Sequence, residues 1–144
     1  MKLLVLQGAN MNWLGKRQPE IYGRTTAAEL DERLKAYAAE KGVEIEIVYH
    51  NVEGHAIETM QRAETEGFDV VLLNPGGFSL AGYALRDAML GVTVPVVEVH
   101  ISNHYKRNIH SVTGSAAVCV FMGLGIETYF SGFDAAMKIV NGQV

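Results

Sequence analysis

At 144 residues, 49% of them hydrophobic, the chain has the size and apolar content of one domain with a sizeable core, predicted over residues 1–144. Its formal net charge is -4 with acidic and basic residues interspersed, so it carries no basic stripe of the kind a nucleic-acid partner requires. The opening MKLLVLQGAN is too short in its apolar part for a signal peptide, and no run approaches the ~18 apolar residues of a membrane helix. The single Cys119, inside SAAVCVFM, has no second thiol to pair with and is expected to act as a small buried hydrophobe. These features together predict a cytoplasmic protein.

In chain order, KLLVLQ predicts a first strand. After it, NWLGKRQPEIYGRTT shows neither strand nor helix periodicity and is punctuated by Pro19 and two glycines, the signature of a long functional loop. TTAAELDERLKAYAAEKG then repeats Leu30, Leu34 and Ala38 every four residues, with Thr25 or Thr26 as N-cap and Gly42 as terminator. VEIEIVYH predicts the second strand. The next helix, NVEGHAIETMQRAETEG, presents Ile57, Met60 and Ala63 and ends at Gly67. DVVLLN is the third strand, and LNPGGFSLAGYALRD leads from it into a helix expected from about Ser79 to Leu90 with Tyr83, Met89 and Leu90 as apolar positions. VPVVEVH and AAVCVFMG are the remaining strands, and a helix from about Gly125 to Lys138 closes the chain with Tyr129, Phe130 and Phe133. Five short apolar runs alternating with helices predict a parallel five-stranded sheet covered on both faces, a three-layer α/β/α sandwich.

Ligands of such sheets collect outside the carboxyl ends of the strands. Polar residues follow each of the first four: Asn10 and Asn12, then Asn51 and Glu53, then Asn74 with Gly76 and Gly77, then Glu98, His100, Ser102 and Asn103. Any one of these is an ordinary turn or cap residue. Four ends populated in the same way point to a site. The glycines let a ligand approach the backbone, and a helix starting near Ser79 would offer its positive end to an anion.

In a strand, Glu98 and His100 share a face, so the carboxylate can hold one ring nitrogen and leave the other to exchange a proton; a structural ion pair would read the same way. The long loop carries Lys16, Arg17, Tyr22 and Arg24. A tyrosine beside guanidinium groups has its phenolate favoured by charge and is a candidate base, with a simple packing residue as the alternative. The dinucleotide fingerprint and the phosphate-binding loop are absent. His50 and His55 flank one strand-to-helix turn without an H-x-x-x-H pair, so neither metal nor cofactor is predicted. Asp87 beside Arg86 reads as surface charge or a local ion pair.

LVLQGANMNWLGKRQPEIYG, NVEG, LNPGG with ALRDA, VPVVEVHISN and GLGIETY, in that order and spacing, resemble the type II 3-dehydroquinate dehydratases across almost the whole chain. The resemblance implies a flavodoxin-like fold, a homo-oligomer that is a dodecamer of trimers, and dehydration of 3-dehydroquinate to 3-dehydroshikimate without cofactor or metal. It implies roles too. Tyr22 is then the base, Arg17 the loop arginine that keeps it ionised, His100 the acid oriented by Glu98, and Asn10 the holder of a water or the enolate oxygen. Asn74, Ile101, Ser102 and Arg107 become contacts to an anionic hydroxyketone substrate, Ile101 and Ser102 through its carboxylate.

The chain departs from that pattern at three places. Ala9 replaces a proline. Leu80 stands where a substrate-binding histidine is expected, and a buried hydroxyl left without its partner costs about 1–3 kcal/mol. The stretch HYKRNIHSVTG is about three residues short. Arg107 can stand for one of two expected arginines but not both, leaving the substrate clamp missing or rebuilt from Lys106 or His104. Proton-transfer residues are thus kept while ring-reading residues differ, which allows three readings: a 3-dehydroquinate dehydratase with a substituted pocket, a hydro-lyase of the same family acting on another hydroxyketone, or a non-catalytic binding or scaffold homologue. Fold alone would also allow a flavin binder, which would be yellow.

Overall fold

The computed structural model describes residues 1–144. Strands β1 (Lys2–Ala9), β2 (Glu44–Tyr49), β3 (Val70–Gly76), β4 (Val96–His100) and β5 (Cys119–Met122) form one sheet in the order β2-β1-β3-β4-β5. Every pairing is parallel. Parallel neighbours need crossovers, supplied by helices α2 (Ala27–Lys41), α3 (Glu53–Thr65) and α4 (Tyr83–Gly91) and, between β4 and β5, by a segment with two 3-10 turns; α5 (Glu127–Val140) follows the last strand, and a single-turn α1 (Pro19–Tyr22) lies in the long loop. This is the expected three-layer flavodoxin-like sandwich, with its strand order reversing beside β1.

Alternation along β1 divides the core. Leu3 and Val5 pack with Leu30 and Leu34 of α2 and with Tyr129 and Phe133 of α5. Leu4 and Leu6 face the other side, against Met60 of α3 and Leu85 and Met89 of α4. The α2 stripe is the expected Leu30, Leu34 and Ala38. A capping box starts that helix: the Thr26 hydroxyl accepts from Glu29 N–H at 3.2 Å, while Glu29 Oε2 accepts from Thr26 N–H at 2.8 Å. Gly42, in the left-handed conformation at φ 68°, ends it.

Five local expectations are corrected. Helix α4 starts at Tyr83, four residues later than expected, because Gly77–Ser79 close a 3-10 turn and Gly82 N–H donates to the Phe78 carbonyl. No helix end therefore faces the glycines after β3. The buried pair of α4 is Leu85 and Met89, one turn apart, and Tyr83 and Leu90 are exposed. In α3 the buried line runs Ala56, Met60, Ala63, with Ile57 only half-buried at its margin. Cys119 is also half-buried, since β5 is an edge strand with a neighbour on one side only. Arg86 does not pair with Asp87; its Nε donates to Ser115 Oγ at 2.7 Å. No helix is long and apolar enough to cross a membrane.

Candidate active site

The carboxyl ends of β1, β3 and β4 and the loop after β1 enclose a cavity of about 150 Å³. Asn10, Arg17, Tyr22, Asn74, His100, Ile101, Ser102 and Arg107 all line it, as does Leu80. No carboxylate does, and with two guanidinium groups in the wall the cavity favours an anion.

Each side chain is placed by local backbone chemistry. Asn10 turns the chain off β1 in a left-handed conformation (φ 72°, ψ 1°), which asparagine tolerates better than most residues. Its N–H donates to Asn51 Oδ1 at 2.8 Å, and Asn51 Nδ2 donates to Asn12 Oδ1 at 3.2 Å. The end of β2 therefore braces the loop from outside. Neither Asn51 nor Glu53 lines the cavity, contrary to the convergence expected of all four strand ends, because β2 lies beyond β1 at the sheet edge. Glu53 instead accepts from Leu85 N–H at 3.0 Å and caps α4. Asn103, at the fourth end, accepts from Tyr105 N–H at 3.0 Å and starts a 3-10 turn.

The loop after β1 is pinned at its base by buried Met11 and Leu14. It then enters α1 through Gln18 in the left-handed region and Pro19 at the first helical position, and leaves through Gly23 at φ 78°. That single turn sets Tyr22 against the core cluster with its hydroxyl toward Arg17, whose Nη2 donates to it at 3.4 Å. The Arg17 guanidinium lies 4.7 Å from the Tyr22 ring centre and that of Arg107 lies 5.4 Å from it. Two guanidinium groups thus lie against one phenol ring.

At the end of β4, His100 Nε2 and Glu98 Oε1 are 2.6 Å apart, both side chains buried. Their shared strand face produces the contact, and it turns His100 Nδ1 away from the carboxylate. Ser111 Oγ also donates to Glu98 Oε1, at 2.5 Å. Sequence reasoning missed Ser111, because only folding brings the segment before β5 under β4. Beyond His100, neither Ile101 nor Ser102 donates its N–H to a backbone carbonyl. The Ser102 hydroxyl accepts from Arg107 Nη1 at 3.0 Å, which leaves its own proton free to donate.

Asn74 is held from below. Its Nδ2 donates to Tyr129 OH at 2.7 Å and its Oδ1 accepts from Gly76 N–H at 3.0 Å, while Tyr129 OH donates to Gln7 Oε1 at 2.8 Å. Burial raises the Tyr129 pKa and keeps it a neutral donor. Sequence periodicity identified Tyr129 only as core; the one signal available was a glutamine in an otherwise apolar strand. Tyr129→Phe strands the Gln7 oxygen and an Asn74 proton in the interior, and each unpaired group costs about 1–3 kcal/mol. We expect a lowered urea midpoint at unchanged m-value, together with weaker substrate binding, as Asn74 loses its support.

His104, named above as a possible clamp, also lines the cavity, whereas Lys106 is exposed and does not. Its ring lies 3.9 Å from that of His100. Burial first, then the neighbouring His100 and Arg107, push its pKa down from 6.5 to about 4. His50 and His55 lie apart from this cavity, with rings 5.9 Å apart and His50 Nε2 2.7 Å from Thr59 Oγ1.

Comparison with known proteins places nearly the whole chain in a family. Residues 1–137 match the family model described as dehydroquinase class II. A 3-dehydroquinate dehydratase of Ectopseudomonas mendocina is 42% identical over 144 aligned residues, covering 98% of this chain and 97% of that protein. One from Carboxydothermus hydrogenoformans is 44% identical, covering 94% and 89%. The crystal structure of the type II dehydroquinase from Butyrivibrio crossotus superposes with a TM-score of 0.92 at 35% identity, over 95% of this chain and 97% of that one. A match of sequence and backbone over nearly the whole length leaves no large segment unaccounted for, and the chain belongs to the class II dehydroquinase family.

Proposed function

We propose that residues 1–144 act as one catalytic domain that removes water from 3-dehydroquinate, giving 3-dehydroshikimate by acid and base chemistry supplied by the chain's own side chains. The dehydratase activity is that of the family, and the reaction is a step of the shikimate pathway. The observation that carries the residue assignment is one cavity lined both by a tyrosine flanked by two guanidinium groups and by a histidine backed by a buried carboxylate.

Tyr22, as phenolate beside Arg17, takes the proton from the carbon next to the ketone. The electron pair left behind moves onto the ketone oxygen. Asn10, directly or through a water, donates to that enolate oxygen, where fixed donors are most effective. His100 Nδ1 then gives a proton to the hydroxyl on the next carbon as its C–O bond breaks, water departs and the ring double bond forms. Glu98 holds His100 Nε2–H throughout. The tyrosine proton returns to the histidine through solvent, so nothing is oxidised or reduced.

The substrate carboxylate is met by the N–H groups of Ile101 and Ser102 and by the Ser102 hydroxyl, with Arg107 behind them. Asn74 closes the floor. Leu80 narrows the range of ring substituents accepted without touching the proton path. Exposed Val118, Val120 and Leu124, around the free edge of β5, support association into a homo-oligomer; our reading is a dodecamer built of four trimers in a cytoplasmic setting. Sedimentation should then give twelve times the 15.7 kDa chain mass.

The functional test is turnover of 3-dehydroquinate by the purified oligomer after chelator treatment, followed by ultraviolet absorbance of the conjugated enone. Steady appearance of that band is expected. Its absence with a well-folded oligomer would remove 3-dehydroquinate as substrate and favour another hydroxyketone.

A further inference from the structure

His104 has a set of features that the core does not explain. It opens the 3-10 turn His104–Arg107, fixed there by the Asn103 cap and by the Ile109 N–H donated to its own carbonyl at 2.9 Å. Its side chain is 7% exposed, yet Nδ1 is buried without a hydrogen-bond partner. An apolar residue of similar shape would fill this place without stranding a polar atom. Nε2 is not among the buried unpaired atoms, and the ring forms part of the cavity wall beside His100 as well as the wall of a neighbouring cavity lined by His110 and Ser111. With its pKa near 4 the ring is neutral at pH 7, able to donate or accept one hydrogen bond without adding charge beside the acid.

Apart from Ser79, whose hydroxyl is also uncommitted and can meet one ring hydroxyl, the remaining polar wall is occupied. In the reading given above, Tyr22, Asn10 and His100 attend the reacting carbons, and Ile101, Ser102 and Arg107 attend the carboxylate. Asn74 is engaged by Tyr129 and Gly76. A 3-dehydroquinate ring carries two further hydroxyls, at C4 and C5, and Leu80 offers them nothing. We propose that His104 is a specificity-determining residue, hydrogen-bonding one of these two ring hydroxyls through Nε2.

The inference rests on the dehydratase reading, and its test separates the two. KM and kcat are measured for wild type, His104→Phe, which keeps a ring against His100, and His104→Val, each with 3-dehydroquinate and with its analogues lacking the C4 or the C5 hydroxyl. With the full substrate, KM should rise roughly tenfold or more in both variants, by more than kcat falls. With one of the two analogues that difference should vanish, because the partner hydroxyl is gone. An unchanged KM, a loss confined to kcat, or a difference that persists with both analogues would overturn the role of His104 while leaving the dehydratase standing. A wild-type protein with no turnover would overturn the dehydratase reading and this inference with it. Should one variant not fold, the other gives the same comparison.

Discussion

Tyr22→Phe should lower kcat by roughly 10²–10⁴, the usual contribution of a positioned general base, while the fold and the oligomer persist. The hydroxyl makes a single contact within the chain, the 3.4 Å one from Arg17, so its removal strands no strong partner. The aromatic ring stays, and with it the packing of both guanidinium groups. Steady-state kinetics by the enone absorbance, with circular dichroism as the control for folding, checks this. A variant retaining more than a tenth of wild-type kcat would mean that the proton leaves to another group.

Gly8→Ala should be among the most destabilising single-methyl changes in the protein. Gly8 lies in β1 where it passes β3, and a Cβ there would fall on the Pro75 carbonyl oxygen and within 2.9 Å of Pro75 Cα. Both obstacles are backbone, so no side-chain rotation relieves them. The strands must separate just before Asn10 and Asn74, two walls of the cavity. Overpacking of this kind costs about 1–3 kcal/mol and more when the backbone has to move. Thermal and urea unfolding should show that loss together with a raised KM. Gly54→Ala is the matched control: it lies in the first turn of α3 with open space around it, and alanine there should be neutral or mildly stabilising. Equal stability of the two variants would contradict the close approach of β1 and β3.

The contrast between these two predictions reflects what a sequence can express. Strands β1 and β3 were legible as apolar runs and α2 as a four-residue repeat ended by glycine, because those patterns record burial on known faces. The Glu98–His100 contact was legible for the same reason: residues two apart in a strand share a face. Gly8, by contrast, reads as one more turn glycine, and only the register of β1 on β3 shows what its missing side chain admits. Helix α4 was misjudged because Tyr83 and Leu90 look like core residues by type, while burial follows the Leu85–Met89 line.

The site was legible where function and strand ends coincide, at Asn10, Asn74 and His100. It was not where sheet order decides. Asn51 and Glu53 end a strand as plainly as the others do, but β2 stands outside β1, and their side chains brace neighbouring backbone instead of facing the cavity. The Gln7–Tyr129–Asn74 chain joins Gln7 to a residue 122 positions away, and its only local signal is a glutamine within an apolar run. His104 and Lys106 stood as equal candidates for the clamp until the 3-10 turn directed one inward and the other outward.

The central claim is a division of labour, with Tyr22 breaking the C–H bond and His100 releasing the hydroxyl. Proton exchange in heavy water measures it most directly. His100→Ala is incubated with 3-dehydroquinate in D2O, and recovered substrate is examined by nuclear magnetic resonance for deuterium at the carbon between the ketone and the leaving hydroxyl. The account predicts deuterium at that carbon faster than product forms, and none above the uncatalysed background when Tyr22→Phe is added. Loss of exchange along with dehydration in His100→Ala alone would contradict it, since the histidine would then be needed to break the C–H bond itself.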